Sequence, residues 1–146
     1  MAHLILNVAS AFVATLCFSI LFNVQKRHLL ICALVGAIGW GIYIIGVDLN
    51  YSDVLSTFVA ALAVAQMSYF LAKKRRAPVT VFLIVGIIPL VPGVGLYRTM
   101  YSLLFAEYNK ALEYALVAFQ LTGVIAGAII LSALIPLLLR KNRQKI

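Results

Sequence analysis

The feature that most constrains this chain is a series of long apolar segments separated by short charged ones. A helix needs about 20 apolar residues to cross the hydrocarbon core of a bilayer. With 64% hydrophobic residues in a chain of 146, a soluble fold of this size could not bury its apolar surface. The sequence therefore predicts one all-α integral membrane domain over residues 1–146. Its five transmembrane helices are expected at about 4–24, 29–47, 54–72, 78–97 and 114–139.

Basic residues gather at one side of the predicted bundle. Lysines and arginines follow the first, third and fifth spans, so ten of the twelve share a side. All four acids lie at the opposite side. By the positive-inside rule, the basic side is cytoplasmic. We therefore expect a multi-pass cell-membrane protein with its N-terminus outside and a basic cytoplasmic tail at 140–146. The net charge of +8 then reflects topology and contact with lipids, and no nucleic-acid partner is expected.

The fourth predicted span contains residues that break helices. Pro89 and Pro92 lack the N–H that a helix needs, and Gly93 and Gly95 permit a sharp turn. A new, short amphipathic helix is expected to begin there, with free N–H groups at its start that favour an anion. Arg98 follows within two turns and offers a guanidinium suited to a carboxylate. The alternative is that the span ends at Pro92 and Arg98 lies in water.

Other polar residues and small residues within the spans can each have one of two roles. Amides at membrane depth need partners, so they either bond between helices or bind substrate. Small residues allow close helix approach, either within the bundle or against a partner subunit. The amides are Asn23, Gln66 and Gln120, and the small-residue faces carry Gly36, Gly39, Gly41, Gly123 and Gly127.

The residues that enzymes and metal sites require are missing from the pattern. No span carries a charged residue at its centre or a serine or cysteine within reach of a histidine, and no cysteine or histidine has ligand spacing. A nucleotide-binding loop is also absent. We therefore expect a protein that is not an enzyme, binds no metal or cofactor, and draws energy for any transport from an ion gradient.

Two stretches resemble a known family. "GIIPLVPGVGLY" (86–97) and "LFNVQKRHLLICALVGAIGWG" (21–41) are similar to motifs of the threonine/serine exporter family, although Gln25 stands where some relatives have proline. In particular, the chain resembles the small five-span subunit of the split exporters. The resemblance implies a hetero-oligomer with a larger subunit that has a cytoplasmic N-terminal domain and five spans. It also implies threonine, serine or succinate as substrate. Because five is odd, a second such unit would be inverted in the membrane.

The combined prediction is one half of a secondary exporter of small carboxylate-bearing metabolites. The expected substrate site comprises Pro89, Pro92, Gly93, Gly95, Tyr97 and Arg98, with Asn23, Gln66 and Gln120 as further candidates. An alternative is a non-transporting subunit that assembles or stabilises the complex. A self-sufficient channel or antiparallel homodimer is disfavoured, because the strong Lys/Arg bias fixes a single orientation.

Overall fold

The computed structural model of the chain describes the backbone of residues 2–143 and the side chains of residues 3–134. Within that range, all regular structure is helical, as predicted. The predicted basic tail at 140–146 lies outside the described side chains. The helices are α1 (Ala2–Leu21), α2 (Leu29–Asp48), α3 (Asp53–Arg75), α4 (Val79–Ile87), α5 (Gly93–Leu104) and α6 (Tyr108–Arg143), with 3₁₀ turns at Lys26–His28 and Ile88–Leu90.

Four of the helices, α1, α2, α3 and α6, are long and apolar enough to cross a membrane. The segments Val79–Leu90 and Gly93–Leu104 are each too short, but together they meet the same criterion, with a bend of 55° between them. The described part of the chain therefore holds four candidate spans, or five if the bent pair counts as one. The bent pair corresponds to the predicted fourth span.

Helices α2 and α3 form the centre of the bundle, with α1 against α2, α6 against α3, and α4 against both. Close packing at the centre depends on glycine. A Cβ on Gly36 of α2 would collide with the side chain of Thr15 on α1, and one on Gly39 would collide with Val64 on α3. Since lipid tails supply no hydrophobic drive between helices, such close approach is what stabilises the bundle.

Two helix ends at the basic side of the bundle turn through left-handed residues. At the end of α1, Asn23 has a φ of 54°. The N–H of Val24 donates to the carbonyl of Ser19 at 3.0 Å, which caps the last turn of the helix. At the end of α3, Arg76 has a φ of 50°, and the N–H of the next residue bonds back to Ala72 at 3.1 Å. These caps fix where Asn23 and Arg76 lie.

The break after α4 lies inside the bundle. Leu90 is 6% exposed and belongs to the central apolar core. A Cβ on Gly39, in the middle of α2, would lie 3.9 Å from Leu90 Cδ1. The break is therefore level with the centre of a spanning helix and far from both of its ends.

Beyond the break, α5 packs on α6 and on no other helix among the described residues. A Cβ on Gly95 would lie 3.3 Å from the Cβ of Ala118, and Ser102 and Ala111 are buried where the two helices meet nearer the loop. This pairing explains why α6 begins at Tyr108, six residues before the predicted span. Its first turns continue the helix so as to cover α5.

Candidate functional site

The bend separates α5 from the centre of the bundle and leaves a cleft of about 540 Å³ between α2, α3, α5 and α6. We call this space the break cleft. Its volume lies in the range of small-molecule sites, about 300–1,000 Å³. Five of the predicted site residues line it: Pro89, Pro92, Gly93, Gly95 and Arg98.

The start of α5 presents unpaired backbone donors at the break cleft. The N–H of Gly93 bonds to Val91 O at 2.7 Å and that of Leu96 to Pro92 O at 3.1 Å. The N–H groups of Val94 and Gly95 have no acceptor among the described residues. Pro92 supplies no side-chain cap. The first turn of a 12-residue helix therefore offers its positive end to a ligand, as helices do in anion sites.

Arg98 lies one and a half turns further along α5 and adds a full positive charge. Its guanidinium carbon lies 5.7 Å from the centre of the Tyr114 ring, a cation–π contact that orients the group. Among the described residues, Arg98 has no carboxylate within 4.0 Å. Its donors are therefore available to a ligand.

The opposite walls carry polar and aromatic groups from distant parts of the chain. Trp40 and Tyr43 of α2 lie with their ring centres 5.0 Å apart, and Thr57 of α3 is only 3% exposed. Glu113 of α6 supplies a carboxylate to the same cleft as Arg98. The sequence interpretation missed these four as site residues. The one signal in the sequence is that Trp40 and Tyr43 stand three positions apart, which places them on one face of a helix.

Comparison with known proteins identifies the chain's family. The sequence model described as "Threonine/Serine exporter, ThrE" matches residues 7–135, which include the whole break cleft. The chain belongs to the threonine/serine exporter family. An uncharacterised protein of Haemophilus influenzae (strain Rd) is 28% identical to it over 143 residues, covering 95% of this chain and 48% of the relative. The chain thus spans about half the length of this curated relative. No solved structure matches it.

Four other predicted site residues of this exporter-family chain lie outside the break cleft. Tyr97 is 67% exposed on α5, with its ring centre 6.1 Å from that of Tyr101. Gln66 is half-buried on α3, and its Nε2 is buried with no hydrogen-bond partner among the described residues. Gln120 is exposed on α6, and Asn23 is the left-handed residue that ends α1.

The predicted small-residue faces of the exporter-family chain divide into two groups. Gly36 and Gly39 are buried against α1 and α3, and a Cβ on Gly41 would lie 3.4 Å from Val8. A Cβ on Gly123 or Gly127 would meet no atom within 4 Å in the part of the chain that the structure describes. The glycines of α2 therefore serve packing inside this chain, whereas the GxxxG of α6 faces open space.

The described residues hold no group of three or more histidine, cysteine, aspartate or glutamate side chains that could bind a metal ion. The groups that the break cleft presents include backbone amides, Arg98, Glu113 and aromatic rings. Such a set is suited to a charged small molecule.

Proposed function

We propose that this chain is one half of a secondary exporter of small carboxylate-bearing metabolites and that the substrate binds in the break cleft. The observation that carries the proposal is that the N–H groups of Val94 and Gly95 and the guanidinium of Arg98 line one cleft without a partner among the described residues. The cleft begins at a break that is level with the middle of α2. Half-helix starts at membrane depth are a recurrent way for transporters to bind anionic groups. Membership of the threonine/serine exporter family supports the same reading.

The charge pattern of the break cleft favours an amino acid over a dicarboxylate. Arg98 and the start of α5 suit a carboxylate, and Glu113 suits an ammonium group. Threonine and serine carry both groups, whereas succinate carries two carboxylates, and Glu113 would repel the second. We therefore place threonine or serine ahead of succinate as the substrate.

A second subunit would complete the transporter. The chain corresponds to about half of its Haemophilus influenzae relative, and one face of α6 has no partner among the described residues. Gly123 and Gly127 on this face are open to close approach by another helix, and the exposed amide of Gln120 lies one turn away. Both features favour helix association in lipid. The partner that we propose is the larger five-span subunit with a cytoplasmic N-terminal domain. In the complex, this chain would have its N-terminus outside the cell.

The test is export by the Arg98→Ala variant, co-expressed with the candidate partner. Cells preloaded with labelled threonine, serine or succinate are followed for efflux, and the amount of each variant in the membrane is measured by blotting. We expect efflux at limiting substrate to fall about tenfold, the loss typical of one hydrogen bond to a charged group. Lys110→Ala is the charge-matched control, because Lys110 is exposed, pairs with Glu107 and lies outside the cleft.

Equal efflux by Arg98→Ala and the wild type would refute the role given to Arg98. The alternative of an accessory subunit has its own signature. In that case the partner alone exports at the full rate, and deletion of this chain lowers only the amount of the partner in the membrane.

A further inference from the structure

A second cleft, of about 450 Å³, lies at the basic side of the bundle, between the α1–α2 connection and the start of α4. We call it the basic-end cleft. It shares no residue with the break cleft. Its polar lining residues are Asn23, Gln25, Arg27, His28, Arg76 and Thr80.

Two arginines from different helix ends converge on this cleft, and the local structure positions both. The Nε of Arg27 donates to the Oε1 of Gln25 at 2.8 Å, which restricts the guanidinium. Arg76 is held by the left-handed cap that ends α3. No aspartate or glutamate lines the cleft. The two positive charges therefore converge on the cleft without a counter-ion in its lining.

The second, independent observation is an unsatisfied histidine. His28 is 2% exposed, and neither of its ring nitrogens has a hydrogen-bond partner among the described residues. Its ring packs edge-on against Phe82, with centres 5.3 Å apart. Buried polar groups are almost always hydrogen-bonded, because an unpaired one costs free energy. His28 is among the residues that line the cleft, and a ligand that entered deeply enough to touch its ring would supply the missing acceptor.

The start of α4 adds backbone donors beside these side chains. The N–H groups of Val79 and Thr80 have no acceptor among the described residues, and Pro78 gives no side-chain cap. Pro78 and Thr80 line the cleft. The positive end of a nine-residue helix therefore meets the two arginines and the histidine, and this combination is suited to an oxyanion.

We propose that the basic-end cleft binds an oxyanion, a carboxylate or phosphate, between Arg27 and Arg76, and that His28 donates one ring N–H to it. The same chemistry is offered by a soluble metabolite and by the headgroup of an anionic lipid, since basic pockets at the cytoplasmic surface also bind lipid phosphates. The proposal goes beyond the proposed function, because it requires neither transport nor Arg98.

The test is nitrogen NMR of the full chain, labelled with ¹⁵N-histidine, in nanodiscs. The chain has two histidines, so His3→Gln leaves His28 as the only signal. In discs of phosphatidylcholine alone, succinate and inorganic phosphate are titrated separately. A third arm adds phosphatidylglycerol to the discs without either soluble anion. We expect a saturable shift of a His28 ring nitrogen with at least one of the three probes.

Variants then locate the binding. Arg27 and Arg76 are both exposed, so substitution should not disturb the fold. Arg27→Gln and Arg76→Gln should each lower the apparent affinity of the anion about tenfold, as expected for loss of a charged hydrogen bond. Lys73→Gln removes the same charge at the same end but does not line the cleft, so its titration should match the wild type. The same anion titration of the Arg98→Ala variant should match the wild type, because Arg98 lines the break cleft and not the basic-end cleft.

The outcomes are distinct. A shift with succinate or phosphate assigns the site to soluble anions, and a shift with phosphatidylglycerol alone assigns it to lipid headgroups. If His28 responds to none of the three probes, or if the arginine variants respond like Lys73→Gln, the proposal is overturned.

Discussion

A single methyl group added at Gly36 is expected to destabilise the bundle, because the glycine is in contact with Thr15 of α1. The new Cβ would lie 2.7 Å from Thr15 Cγ2 and 3.0 Å from its Cβ, and it would overlap Oγ1. Thr15 is fully buried, and its hydroxyl donates to the carbonyl of Ala11 at 2.7 Å. The side chain therefore cannot rotate away without losing that bond.

The expected magnitude follows from three terms. Overpacking costs about 1–3 kcal/mol, and loss of the Thr15 hydrogen bond adds about 1 kcal/mol. The higher helix propensity of alanine relative to glycine stabilises the folded chain by about 1 kcal/mol and offsets part of this loss. The free energy of unfolding of Gly36→Ala should therefore fall by about 1–3 kcal/mol.

The assay is reversible unfolding of the purified chain in mixed micelles with increasing dodecyl sulfate, followed by circular dichroism. Gly123→Ala is the matched control, since its methyl group meets nothing within 4 Å and should leave stability unchanged or raised. Adding Thr15→Ala to Gly36→Ala removes the two closest atoms. The double variant should then be more stable than the sum of the single effects by at least about 0.5 kcal/mol. Equal stabilities of Gly36→Ala and Gly123→Ala would refute this account of the packing.

Three further expectations concern partners and ligands. Gly123→Leu or Gly127→Leu should reduce co-purification of the larger subunit while leaving the stability of the isolated chain unchanged, and undiminished co-purification would place the partner elsewhere. Glu113→Gln should slow threonine efflux several-fold and spare or improve succinate efflux, because it removes a carboxylate that attracts ammonium and repels anions. Oxyanion binding at Arg27 should weaken several-fold between about 0.01 and 0.15 M salt, because exposed charges are screened over that range, and salt-independent binding would contradict it.

The break in the fourth span could be predicted from the sequence, because proline and glycine act locally. Pro89, Pro92 and Gly93 lie within five positions and together disfavour a continuous helix, and the structure places the break within the predicted segment. The helical class could be predicted for a similar reason, since length and apolarity alone determine which segments can cross a bilayer.

The walls of the break cleft could not be predicted, because they depend on how distant segments pack. Thr57 and Glu113 line the same cleft although they are 56 positions apart in the sequence, and nothing local to either residue indicates the other. The first turns of α6 were missed because residues 108–113 are too polar for a span. They are helical because α5 packs against them. Similarly, Arg27 and Arg76 line one cleft because of the left-handed turns that end α1 and α3. The sequence around either arginine gives no sign of the other.

The 55° corner at Val91 and Pro92 acts geometrically as a hinge, and α5 is the arm that it carries. An arm of 12 residues is about 18 Å long, so a rotation of about 10° at the corner displaces its far end by about 3 Å. Because α5 packs on α6 and on no other helix among the described residues, such a rotation would disturb that one helix contact. The width of the space that holds Arg98 is thus governed by the backbone angle at two residues that carry no charge.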